Sequence, residues 1–145
     1  MHVILIFSIA LVLAGCDYKV GDYQLDESTF DDAAIAMVQK ETGIQLPDGS
    51  RGLKMLYQGS AIDPSFLAKI QIPESSKEEI VNHIGEIEHQ DGTVNGSLTE
   101  KVRWWSPSSG TIITQRQSTP EGNYIRAILC QEGDQLVLYL EWIKI

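Results

Sequence analysis

The sequence predicts an α+β domain: two helices packed on a mainly antiparallel sheet of about five strands, in the order α-β-β-α-β-β-β. Three observations carry this expectation. Apolar residues recur at helical spacing after Thr29 and again after Ser76. Residues 52–72 alternate apolar and polar side chains on either side of a turn, the pattern of an antiparallel hairpin. Residues 111–143 divide into three strand-like runs separated by turns that contain Gly.

The first helix is expected over residues 30–42. Ser28 or Thr29 would start it, and Asp31 and Asp32 would sit in the first turn, where the helix dipole favours negative charge. Phe30, Ala33, Ala34, Met37 and Val38 form its apolar stripe, and Gly43 is placed to cap its C-terminus. Leu46-Pro47-Asp48-Gly49-Ser50 has turn chemistry. Leu53, Met55 and Tyr57 then share one strand face, residues 58–64 turn the chain, and Phe66, Ala68, Ile70 and Ile72 share a face of the returning strand until Pro73 stops it.

Ser75-Ser76-Lys77-Glu78 has the form of a capping box opening the second helix, with Ile80, Val81, Ile84 and Ile87 as its buried stripe. This helix must end by Asp91-Gly92. Residues 92–110 are irregular, with turns at Asn95-Gly96 and Ser106–Gly110 flanking Trp104-Trp105. Strands are expected at 111–117, 123–130 and 136–143. The last is apolar on both faces, which argues for a central place in the sheet.

With 43% hydrophobic and 21% charged residues, the chain belongs with folded globular proteins rather than disordered ones. Its net charge of −9 repels phosphate backbones and anionic lipid head groups and argues against nucleic-acid binding, while suiting a basic protein partner. Cys130, inside Ile128-Leu129-Cys130, is read as a small buried hydrophobe.

Val3–Leu13 is apolar apart from Ser8 and far shorter than the roughly 20 residues of a bilayer-spanning helix. It suits the apolar region of a secretory signal peptide, although only the α-amino group and His2 could supply the positive charge expected ahead of it. The run closes on Leu13-Ala14-Gly15-Cys16, which resembles the lipobox of bacterial lipoproteins. The resemblance implies cleavage after Gly15, a diacylglyceryl thioether on Cys16 and retention at a membrane surface by acyl chains. Asp17 directly after the lipidated cysteine implies, in enteric-type bacteria, the periplasmic face of the inner membrane.

On this basis residues 1–15 are a signal peptide, residues 16–27 carry the lipid and an acidic tether, and residues 28–145 form one domain. The tether would reach at most about 40 Å, unless Tyr18 and Tyr23 dock on the domain. With Cys16 lipidated, Cys130 has no disulfide partner within the chain. Leu46-Pro47, the Phe66–Pro73 strand end, Trp104-Trp105-Ser106-Pro107 and Tyr139–Trp142 give most of the chain a resemblance to small bacterial lipoproteins of uncharacterised function. That resemblance carries no activity with it.

Chemistry-bearing motifs are few. Glu79, His83 and Glu86 could share a helix face and hold a divalent ion, but no second histidine falls at helical spacing, so a solvated face is expected and no metal. No nucleophile elbow and no Gly-rich phosphate loop is present, so no cofactor is expected. Trp104 and Trp105 are the candidate partner-binding residues. On a strand they would point to opposite faces, one into the core and one outward. The expected function is a membrane-anchored, protein-binding or accessory module of the cell envelope. The alternative is an inhibitor or immunity-type protein that neutralises a basic toxin or cell-wall hydrolase. A metal-dependent hydrolase on the Glu79 face ranks behind both, beside a binder of an apolar small molecule.

Overall fold

A computed structural model describes residues 21–59 and 63–145. Its strands are β1 (Tyr23–Asp26), β2 (Arg51–Gln58), β3 (Ser65–Ile72), β4 (Thr111–Ser118), β5 (Asn123–Glu132) and β6 (Gln135–Lys144), and its helices are α1 (Asp32–Thr42) and α2 (Lys77–Gly85). All six strands join one antiparallel sheet in the order β1-β2-β3-β6-β5-β4. The expected architecture is therefore corrected in two respects. The sheet has six strands rather than about five, and the element order opens with a strand, β-α-β-β-α-β-β-β.

The additional strand comes from the stretch read as tether. Tyr23 and Leu25 turn inward opposite Tyr57 and Met55, Leu25 is buried, and the Tyr23 and Tyr57 rings stack with centroids 4.8 Å apart. Tyr-Gln-Leu-Asp is too short and too polar to announce a strand alone; β2 supplies the ladder and the apolar surface it needs.

The helix starts also differ from expectation. Asp26 accepts from the Ser28 amide at 2.9 Å and from its hydroxyl at 2.6 Å, so Ser28 and Thr29 belong to a turn before the helix. Those bonds from Ser28 hold the Asp26 carboxyl below its usual pKa. Asp31 is the cap of α1, its carboxylate accepting from the Ala34 amide at 3.0 Å. Gly43 ends the helix with φ 70°. At α2 the capping box does not form: a 3-10 turn, Glu74–Ser76, feeds the helix and Ser76 makes no side-chain cap bond.

One face of the sheet packs on the helices. Phe66, Ile70, Leu138, Leu140 and Trp142 meet Val38, Ile80 and Ile84 there. A row of side chains crosses five strands on this face, Tyr23-Tyr57-Phe66-Trp142-Ile125, with Phe66 and Trp142 stacked at 5.4 Å. Gly52 lies on the same face under the Phe30 ring, where a Cβ atom would meet ring carbon at 2.0 Å. Gly52→Ala is expected to cost about 1–3 kcal/mol through forced repacking, read as a lowered urea midpoint with an unchanged slope. An unaltered midpoint would show that Phe30 does not pin this strand.

β6 is central, as its two apolar faces suggest, pairing with β3 on one side and β5 on the other. Neither face of the sheet is bare. Residues 93–110, including the turns Thr99–Lys101 and Pro107–Ser109, lie over the face opposite the helices and bring Leu98, Val102, Trp104 and Trp105 onto it. The outer edge of β4 is covered at its C-terminal end: the Gln90 amide donates to Gln117 O at 2.9 Å, and Gln117 Nε2 donates to Gln90 O and Gly92 O. Among the described residues, no helix is long and apolar enough to cross a membrane.

Candidate functional site

The alternation that sends Leu138, Leu140 and Trp142 toward the helices sends Tyr139 and Glu141 to the opposite face. Glu141 is fully buried there. Its register partner on β5 is Arg126, whose Nη2 lies 2.7 Å from Glu141 Oε2. The other carboxylate oxygen accepts from Ser97 Oγ at 2.6 Å. A charge removed from water in this way requires a partner at close range and satisfied lone pairs. Arg126 provides the first, and Ser97, carried in by the covering segment, helps provide the second.

Trp105 closes the arrangement. The Arg126 guanidinium carbon lies 5.5 Å from its ring centroid, and the ring meets Tyr139 edge-on at 5.3 Å. Trp104, 6.5 Å away, packs instead with Leu56, Leu67 and Leu98. The strand-based expectation for this pair is corrected. The two tryptophans sit in a turn, and both are half-buried against the same sheet face. Much of each ring is occupied in covering that face, and the remaining edge is the surface a partner could touch.

A second ionic group lies beside the first. Tyr139 donates to Glu132, which also pairs with Lys69 Nζ at 3.1 Å, and Lys69 stands 5.2 Å from the Tyr139 ring centroid. Burial, then the Glu132 carboxylate, pushes the Tyr139 phenol up. Burial works against the Lys69 ammonium, but Tyr139 and Glu132 outweigh it and hold its pKa above the ordinary lysine value. Sequence reasoning missed both groups, because Glu141 stands alone within an apolar strand and its partners, Arg126 and Ser97, come from two other segments.

Cys130 is buried, and its Sγ donates to Pro107 O at 3.3 Å. Burial pushes the thiol up to about 11. Below pH 9 the folded and unfolded chains both keep this proton; above it the unfolded chain releases the proton first, so stability falls until the folded thiol ionises. Lys69 and Tyr139, both raised, act in the same direction. The expected loss attributable to Cys130 is about 2–3 kcal/mol between pH 9 and 11. Urea titrations at the two pH values measure it, and an equal decline in Cys130→Ala would assign the loss elsewhere.

The other candidates are not assembled into a site. His83 Nδ1 lies 2.8 Å from the Gln45 carbonyl, while Glu79 and Glu86 are exposed. Among the described residues no group of three or more His, Cys, Asp and Glu side chains could hold a metal ion. Cys16, the proposed lipidation site, lies outside the described residues.

Fold and site together define a two-layer α+β domain whose non-helical sheet face is covered by an aromatic segment over the buried Glu141 carboxylate and its Arg126 partner. Comparison with protein-family models, curated proteins and solved structures finds no match to this chain.

Proposed function

We propose that the chain is a lipid-anchored protein of the bacterial cell envelope, a globular module that binds or assists another envelope protein. The observation that carries this reading is the apolar run closing on Leu13-Ala14-Gly15-Cys16. With acyl chains on Cys16 the module is held on the extracytoplasmic side, and Asp17 favours the periplasmic face of an inner membrane. Two or more acyl chains suffice for stable retention. Trp104 and Trp105, half-buried and next to exposed Arg103, form the contact surface of this reading. Affinity capture from the native membrane, with Cys16→Ala as control, tests both parts. The anchored protein should fractionate with membranes and retain a specific partner, whereas Cys16→Ala should be released. A variant still bound to membranes would overturn the anchor.

A second reading, an inhibitor of a basic toxin or cell-wall hydrolase, is favoured by how charge is distributed. Segments 31–50 and 73–91, which contain the two helices and their flanking turns, hold ten acidic residues against Lys40 and Lys77, a net −8 of the chain's −9. Such a one-sided field speeds encounter with a cationic partner. Co-expression with the hydrolase encoded nearest to it should protect cells, and absence of protection would remove this reading.

A further inference from the structure

The chain has three asparagines, and the fold holds them differently. Asn82 lies inside α2, where the Glu86 amide donates to its backbone carbonyl at 3.1 Å. Asn123 opens β5, and its side chain donates to the Glu121 carbonyl at 3.2 Å. Asn95 sits in the turn near the start of the covering segment, exposed and followed by Gly96 at φ 87°. Both turn residues line an open cleft of about 480 Å³, so water reaches the Asn95 carboxamide. Among the described residues, neither that carboxamide nor the Gly96 amide has a hydrogen-bond partner. Two residues past Asn95, Ser97 gives its hydroxyl to the buried Glu141 carboxylate at 2.6 Å.

We infer that Asn95 is a deamidation site of the folded protein, and that its isoaspartate product releases the covering segment from Glu141. Asparagine is among the thermally labile side chains. The Gly96 nitrogen, giving its proton to hydroxide, attacks Asn95 Cγ. The new C–N bond closes a succinimide, and the carboxamide nitrogen takes up a proton and leaves as ammonia. Water then opens the ring. Scission between Cγ and the Gly96 nitrogen gives aspartate, and scission between the Asn95 carbonyl carbon and that nitrogen gives isoaspartate. Gly96 favours the attack because no side chain crowds its nitrogen and because it holds a positive φ without strain. In α2 the nitrogen after Asn82 is committed to the helix ladder, and the Asn123 carboxamide is already held. Isoaspartate routes the main chain through Cβ and Cγ, which makes it one atom longer just ahead of Ser97. Leu98, buried with Leu56 and Leu67, fixes the next position, so the added atom displaces the Ser97 hydroxyl from Glu141. Aspartate keeps the backbone length and leaves that bond in place.

The test incubates the full chain at neutral pH and physiological temperature, beside the same chain unfolded in urea as a clock. Peptide mapping, with fragmentation that separates isoaspartate from aspartate, follows Asn82, Asn95 and Asn123. The folded chain should convert at Asn95 with isoaspartate among the products, while Asn82 and Asn123 stay intact. Gly96→Ala should slow the conversion roughly tenfold or more, since a methyl group then crowds the attacking nitrogen. An Asn95 still intact in the folded chain when it has converted in urea would overturn the site. Aspartate as the sole product, or an unchanged rate in Gly96→Ala, would overturn the succinimide route. The converted fraction, isolated by ion exchange through its added charge, reads the consequence. It should unfold at a lower urea concentration than fresh protein, in the direction of Ser97→Ala, while Asn95→Asp unfolds with fresh protein. A converted fraction as stable as fresh protein, or an Asn95→Asp variant equally weakened, would overturn the release of the covering segment.

Discussion

Arg126→Ala is expected to destabilise the domain by about 3–5 kcal/mol, because it leaves the Glu141 carboxylate in the sheet without its counter-ion. Ser97 alone cannot compensate a full charge at that depth. The variant also loses the guanidinium beneath Trp105, so the covering segment should loosen and Trp fluorescence should shift to the red. Urea denaturation followed by far-UV circular dichroism measures the first effect and emission spectra the second. A paired replacement, Arg126→Met with Glu141→Leu, should recover most of the loss, since removing both charges also removes the desolvation penalty. A cost below about 1 kcal/mol for Arg126→Ala, typical of an exposed pair, would contradict the description of Glu141 as a buried ion that depends on one partner.

Phe66→Ala should be as damaging, at about 3–5 kcal/mol. Phe66 is fully buried and stands in the middle of the row that runs from Tyr23 to Ile125. Its removal leaves a void between Tyr57 and Trp142 that neither stiff strand can close, so the cavity penalty adds to the lost transfer energy. Phe66→Leu keeps most of the volume and should cost well under half as much. Equal costs for the two variants, measured by thermal unfolding, would mean that this region collapses freely and that the row is not a rigid feature.

The parts legible in the sequence are those where local pattern and tertiary demand agree. β6 carries apolar residues on both faces because both faces are covered, and the hairpin of β2 and β3 shows its alternation because only one side meets the helices along most of its length. β1 was hidden because four residues, two of them polar, carry no period; it is a strand only because Met55 and Tyr57 lie opposite it. Ser28 and Thr29 resembled a helix cap because serine and threonine serve both caps and turns, and Asp26 claimed them for the turn. The segment over the second face has no period at all, its contacts being made by single residues such as Leu98 and Trp105 at irregular spacing. The surroundings of Trp104 and Trp105 could therefore not be derived from a strand rule.

The meeting of β3 and β6 at the middle of the sheet bears on how the chain finds its fold. β1, β2 and β3 are neighbours in the sheet in sequence order, and so are β4, β5 and β6, so each trio can zip through contacts close along the chain, interrupted in the first by α1. The seam between them joins Ile72 to Leu136 and Ser65 to Ile143, across α2 and the long covering segment. Closing that loop costs chain entropy before the seam buries anything, which makes it the slow step of assembly. Until it closes, β3 and β6 each present an apolar edge, so the interval before docking is when this domain is most exposed to pairing with the wrong strand.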